Sequence, residues 1–386
     1  MIYPALSNVF VRFFESEKTG GILLVVCAAI ALLIANSPLG DAYALFWQRR
    51  FLGLSLEHWI NDALMAVFFL LIGLELEREL YSGELADFKN ALLPIFAALG
   101  GMLAPAAIHL YLNAGAPTQA GAGIPVATDI AFALGVLALL GQRIPPALKV
   151  FVVAFAVIDD LGAIVVIATF YTAQLSIGYL IGAVAVAAAL FALNVVFRAM
   201  SLLPYLLGGA LLWLLMLKSG IHATIAGVIL AFAIPFSAKD DDAKSPSHRL
   251  EHVLHKPVAF VILPIFALAN TGVVVGADWM QNALSANSLG IIAGLVLGKP
   301  LGITLACAGA VALGVCRLPP EVEWRHIFGA GILGGIGFTM SIFIANLAFA
   351  ASPALANASK MAILIASIVA GISGFVCLLC AGRRRA

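Results

Sequence analysis

The sequence predicts an all-α polytopic membrane protein of twelve transmembrane helices, and three observations carry that prediction. Of its 386 residues 63% are hydrophobic and 11% charged, a balance foreign to water-soluble chains of this length. The apolar residues gather into runs of spanning length, about 20 residues for a hydrocarbon core of about 30 Å. The runs are continuous and lack the alternation of a barrel strand, and in lipid only helices or closed barrels satisfy every backbone group. Read as one integral membrane domain over 1–386, the chain leaves no room for a large soluble domain.

Runs bounded by Pro, Gly and charge place the spans at 14–35, 59–80, 91–112, 122–141, 148–171, 177–199, 203–218, 221–236, 252–273, 287–311, 327–350 and 357–380. The first carries Glu15 and Glu17 at its start and reaches full length, so it is expected to be a retained helix and not a signal peptide. Between the first two spans, residues 41–58 place Phe46, Trp47, Phe51, Leu52, Leu54 and Leu56 around Arg49 and Arg50. That amphipathic pattern fits an interfacial helix or a surface hairpin, serving as a membrane anchor or as a contact to a second copy. Residues 237–256, with Asp240, Asp241 and Asp242 beside Lys239 and Lys244, are expected to form a solvated cytoplasmic loop.

Twelve spans return both termini to one side. With the N-terminus inside, sixteen of the 21 Lys and Arg fall in inner segments, four in outer ones, and Lys299 within a span, so both termini are predicted cytoplasmic. A net charge of +1 gives no excess for nucleic acid, and no nucleic-acid motif is present. Cys27, Cys307, Cys316, Cys377 and Cys380 lie in or beside apolar runs and read as small packing residues; the Cys377/Cys380 pair has no second pair with which to hold a metal.

Charges inside the spans need a reason, because each costs about 2.5 to 3.5 kcal/mol at a span centre. Asp129 falls in the fourth span, Asp159 and Asp160 in the fifth and Lys299 in the tenth, with Asp62 and Glu75 in the second. Three carboxylates and one ammonium leave excess negative charge that a proton or a cation must balance. Adjacent residues on a helix point about 100° apart, so one of Asp159 and Asp160 can serve Lys299 while the other faces a cavity. Two carboxylates so close do not easily both ionise, and a sodium-like cation seeks the same oxygens as the protons do, Thr128 and freed carbonyls included. Competition for one site is the chemistry of an exchanger.

The backbone at these charges is interrupted. Gly121, Gly123 and Pro125 crowd the start of the fourth span, and Gly331, Gly334, Gly335 and Gly337, followed by Thr339 and Ser341, break the eleventh. Each broken segment is the middle member of a triplet, spans three to five and ten to twelve, and an offset of seven spans reverses orientation. An inverted repeat follows, 91–171 against 287–380, with a midplane site where half-helix dipoles help to balance charge.

VATDIAFALGVLALLG, AVIDDLGAIVVIA, LGKPLGI, GIHATIAGVIL and GGIGFTMSIFIANLAF resemble the NhaA family of bacterial sodium/proton antiporters over nearly the whole chain. The inverted-repeat rule was drawn partly from that family, so the repeat is not independent of the resemblance. The resemblance implies crossed broken helices four and eleven, electrogenic exchange of protons for sodium or lithium, activation at alkaline pH, no cofactor, and a homodimer in the bacterial inner membrane. Carried over by position, Asp160 resembles the principal ion and proton carboxylate and Asp159 its partner and the acceptor for Lys299. Asp129 and Thr128 fall on the broken fourth helix, where the aspartate compensates facing helix ends. The resemblance gives Lys299 a part in proton release and leaves open which group carries which proton.

Glu75, Arg78 and Glu79 at the inner end of span two, and Glu251, His252 and His255 at the inner start of span nine, are expected on one face. They resemble the family's pH-sensing region, and histidine titrates near about 6.5. His222 also matches a family position, while His58, His109, His248 and His326 suggest no function. Three other functions compete at this stage. A proton-coupled solute carrier needs a larger pocket, an intramembrane aspartyl protease needs a GxGD arrangement that is missing, and a retinal pump on Lys299 sits badly with twelve spans.

Overall fold

The structure, a computed structural model, describes residues 8–83, 85–171, 175–237, 245–276 and 278–382, with the backbone alone for 8–18 and Gln142. The helices along the chain are α1 (Asn8–Ala35), α2 (Gly40–Gln48), α3 (Leu56–Ser82), α4 (Phe88–Leu112), α5 (Ile130–Leu140) after a 3-10 run over Pro117–Val126, and α6 (Pro146–Phe170). They continue with α7 (Ile177–Val195), α8 (Leu202–Ser219), α9 (Ile225–Ala233), α10 (Pro246–Asn270), α11 (Trp279–Ala283), α12 (Ala286–Ala312), α13 (Trp324–Gly334), α14 (Phe338–Ala348) and α15 (Pro353–Ala381). Among the described residues nine helices are long and apolar enough to cross a bilayer, or up to eleven if two bent pairs, α1 with α2 and α13 with α14, each make one span.

The stretch predicted as an eighth span is shorter than expected. Of 221–236 only α9 is helical, about 13 Å at 1.5 Å per residue, well under a core of about 30 Å. Gly220 turns left-handed at φ 87°, His222 lies outside the helix, and Ile234 is extended ahead of Pro235, as the residue before a proline prefers to be. The amphipathic stretch 41–58 contains both predicted alternatives. Its helix α2 is followed by the hairpin β1 (Arg50–Phe51) and β2 (Leu54–Ser55), turned by Leu52 and Gly53 at φ 50° and 89°, as a two-residue hairpin loop requires. Of the expected loop 237–256, residues 238–244, with Lys239, Lys244 and the three aspartates, lie outside the described residues; 246–257 are already helical.

The described residues fall into two compact units. One comprises 8–38, 88–163 and 271–382, the other 39–87 and 164–270. In the first, α4 meets α12 backbone to backbone. A Cβ on Gly100 would strike the Gly302 carbonyl and one on Gly302 the Gly100 carbonyl, while Gly298 and Gly294 lie against Pro105. Small residues allow such approach where lipid offers no hydrophobic drive to helix pairing. A π-helical turn over Gly294–Gly298 delivers Lys299, whose N–H reaches the Gly294 carbonyl. Pro300 follows; a proline ring clashes with the carbonyl four residues back, and a wider turn is one relief. The same arrangement recurs at Val258–Ile262 ahead of Pro264.

In the second unit Gly73 lies against Ala231 and Val228, and Gly227 against Ala66 and Leu70, so α3 and α9 also approach closely. Leu70, Leu74, Leu190, Tyr205, Leu230 and Ile234 form part of the core there. Asp62 sits in a π turn over Trp59–Leu64, and its carbonyl accepts from the Trp213 indole at 3.2 Å while Trp213 stacks on Trp59 at 5.7 Å.

Candidate functional site

The 3-10 run ends at Val126, just after Pro125; Ala127 and Asp129 are extended, and α5 starts only at Ile130. The eleventh predicted span is interrupted in the same way. α13 stops at Gly334, residues 335–337 are not helical, and α14 restarts at Phe338 with a bend of 45°. Gly335 and Gly337 therefore lie in the break and Gly334 closes the helix before it. A side chain on Gly335 would press on the Leu295 carbonyl.

The two breaks are bonded to each other. The Asp129 N–H donates to the Ile336 carbonyl at 2.7 Å, the Thr128 hydroxyl to the Gly334 carbonyl at 2.9 Å and the Ser341 hydroxyl to the Ile124 carbonyl at 2.7 Å. The Asp129 carboxylate serves both restarting helices. Oδ1 accepts the Phe132 N–H at 3.0 Å as the N-cap of α5, and Oδ2 accepts the Thr339 N–H at 3.1 Å and its hydroxyl at 2.6 Å. Two helix N-termini, each with partial positive charge, thus share one buried carboxylate.

Lys299 brings the remaining charges together. Its ammonium donates to Asp159 Oδ2 at 2.5 Å and to Thr128 Oγ1 at 2.8 Å, and Lys299, Asp159 and Thr128 are all fully buried. Thr128 relays that charge to the C-terminal carbonyl of α13, where a cation is favoured. Gly101 leaves room beside the lysine stem. Asp160, next on α6 and 1% exposed, lies within electrostatic reach of Lys299. The ion pair is the first half of the arrangement expected of the two adjacent aspartates, one of them serving Lys299. Among the described residues no group of three or more His, Cys, Asp or Glu is placed to hold a metal ion. Asp159 and Asp160, the expected sodium or lithium ligands, would need carbonyl, hydroxyl or water oxygens to complete a shell.

In the second unit Arg78 pairs with Glu251 at 2.5 Å and with Glu79 at 3.2 Å, and His255 Nδ1 lies 3.8 Å from Glu75 Oε1. Five of the seven pH-sensing candidates are therefore in one cluster. His252 is exposed and outside these pairs, and His222 stands apart in the unwound approach to α9. One residue not anticipated joins the cluster, His248, whose Nδ1 lies 3.8 Å from Glu251; Glu77, also not anticipated, is buried and accepts the Ser247 hydroxyl at 3.2 Å.

The family description Na+/H+ antiporter 1 matches residues 11–378. The chain belongs to that family. The Na(+)/H(+) antiporter NhaA of Dechloromonas aromatica is 69% identical over 373 residues, covering 97% of this chain and 96% of the relative. The proteins of the same name from Cytophaga hutchinsonii and Vibrio campbellii are 55% and 51% identical over 374 and 375 residues, each covering 97% of this chain and 95% of the relative.

Family membership and the apolar helices together make the chain a multi-pass bacterial membrane protein of the all-α class. Within the family's motif GGIGFTMSIF, Thr339 is the residue the sequence left without a role, and it makes the shortest bond to Asp129. Its one visible signal was position, a hydroxyl residue where a helix resumes after glycines.

Proposed function

We propose that this chain is an electrogenic sodium or lithium/proton antiporter of the bacterial inner membrane, activated at alkaline pH and serving sodium and pH homeostasis. The observation that carries the proposal is the buried set Asp159, Asp160, Lys299 and Thr128 beside two bonded helix breaks. Protons and the metal cation alternate on Asp160, assisted by Asp159. Lys299 holds Asp159 while the site is empty of metal, and gives up that bond, and in part its proton, as the cation arrives. Asp129 and Thr128 compensate the facing helix ends, so that incoming charge meets a field already balanced. Only a loaded carrier changes its exposed side, and mutual exclusion couples the two fluxes.

We further infer twelve spans with both termini cytoplasmic, counting α1 as the first and the short α9 as the eighth. Residues 91–171 and 287–380 form the inverted repeat, with crossing broken helices, the protein is a homodimer, and the stretch 41–58, its hairpin included, serves as a membrane anchor or as the contact to the second copy. Glu75, Arg78, Glu79, Glu251, His252 and His255, with His222, adjust activity to pH. The relatives' name and the carboxylate chemistry support sodium and protons as substrates.

Proteoliposomes holding an internal pH dye test the proposal. Sodium or lithium added outside should change the dye signal, increasingly toward alkaline pH, whereas potassium and choline should not. Asp160→Asn should abolish the signal while insertion and folding persist, and wild-type turnover in that variant would remove Asp160 from the mechanism.

A further inference from the structure

The end of α4 carries a buried polar cluster that the exchange does not use. His109 is fully buried and its Nε2 lies 3.2 Å from Asn287 Oδ1. Asn287 Nδ2 donates to the Ser359 hydroxyl at 2.8 Å, and that hydroxyl donates to the Leu355 carbonyl at 2.8 Å. The proton of Ser359 is thereby committed, the Asn287 amide is oriented with its oxygen toward the ring, and Nε2 of His109 carries the hydrogen. Nδ1 is buried and has no hydrogen-bond partner among the described residues. One turn on, Asn113 donates to the carbonyls of His109 and Ala286 at 3.0 and 3.1 Å and accepts the Thr118 hydroxyl at 2.7 Å.

Four elements of the first unit meet at this cluster: α4, the start of α12, the first turns of α15 and the 3-10 run. Their backbones are close, for a Cβ on Gly121 would lie 3.2 Å from His109 Cε1 and one on Gly290 2.8 Å from His109 Cδ2. The charged and titratable groups on them are few. The 3-10 run and α14 carry none, α12 carries Lys299 three turns away and Cys307 beyond it, α15 carries Lys360 next to Ser359 and Cys377 and Cys380 near its other end, and α4 carries besides the histidine Lys89 at its far end and Tyr111, which is exposed. No carboxylate on these elements is available to a second ring proton. Such a proton would be a buried cation without an acceptor, and opening the cluster to water is its relief.

We propose that the His109–Asn287–Ser359 chain is a proton-operated latch: with the ring neutral it clamps the four elements together, and protonation of Nδ1 releases them and slows exchange. The clamp bears on the site through Pro105, one turn before His109, which lies against Gly298 beside Lys299. The regulated activity, and the assignment of this end to the outer face, rest on the exchange and orientation proposed above; the latch itself does not.

Hydrogen–deuterium exchange on the full-length protein in detergent, where both faces meet the same pH, tests the latch. After correction for intrinsic rates, protection of amides 106–113 and 286–290 should fall by about tenfold between about pH 8 and about pH 5.5 in wild type. In His109→Gln, whose amide still donates to Asn287 but takes no proton, protection should stay flat. Unchanged protection in wild type, or an equal loss in His109→Gln, overturns the latch, and wild type alone decides if the variant does not fold. In proteoliposomes at acid outer pH the variant should exchange about threefold faster than wild type. No exchange by either protein at any pH would overturn the antiport proposal and leave the deuterium result standing.

Discussion

Lys299 and Asp159 are a buried ion pair in a place where neither charge has water to fall back on. Removing one partner of such a pair typically costs about 3–5 kcal/mol, because the other is stranded. Lys299→Ala should therefore lower the apparent melting temperature markedly, and adding Asp159→Asn should restore most of it; a single variant that melts like wild type would mean that the bond contributes no stability. The carboxylates and the lysine were legible as single residues, since a charge in an apolar run is conspicuous. Their hydroxyl partners were not. Thr339 meets Asp129, and Ser247 meets Glu77, across 210 and 170 residues, and a hydroxyl among apolar residues carries no mark of which distant acceptor it will find.

Among the elements, both breaks were visible as clusters of Gly and Pro, and the structure places them within a few residues of the expectation. The short α9 was not, because hydropathy counts Ile221 and Ile234 as spanning residues while the backbone at Gly220 and before Pro235 decides where the helix runs. The π turns escaped for a related reason. Glycines 290, 294, 298 and 302 recur every fourth residue, and on an ideal helix each step of four overshoots by about 40°, turning the row away from α4. The wide turn over Gly294–Gly298 takes back part of that overshoot, and all four glycines face α4. Gly302→Leu should accordingly abolish a monodisperse folded protein on size-exclusion chromatography, whereas Leu301→Ala, at a half-exposed neighbour, should shift stability by no more than about 0.5 kcal/mol. Equal behaviour of the two would contradict backbone contact.

For the whole molecule, the membrane class follows from composition alone, whereas the assembly of the first unit from 88–163 and 271–382 depends on pairings that no local pattern specifies. Orientation rests on the distribution of Lys and Arg, and labelling can check it. Arg50→Cys, exposed in the hairpin, should react with a membrane-impermeant maleimide in intact cells, and Arg325→Cys, exposed near the start of α13, should react only after the cells are opened. The reverse pattern would invert the topology. Endogenous cysteines would first be replaced; the sequence reads all five as packing residues, but only Cys27, Cys307 and Cys316 are buried, while Cys377 is half-buried and Cys380 exposed.

The glycine row has one more consequence. α12 presents two faces without charge, a bare one of glycines against α4 and a bulky one at Leu297, Leu301 and Leu305, exposed by 55%, 49% and 68%. A random library of this helix would therefore return a beat of four: positions that accept almost any apolar residue, those at Leu297 and Leu301 each followed by a glycine that accepts nothing larger than the hydrogen already there. Evolution can trade freely on the first set, while the second is fixed by shape before any question of ion chemistry arises.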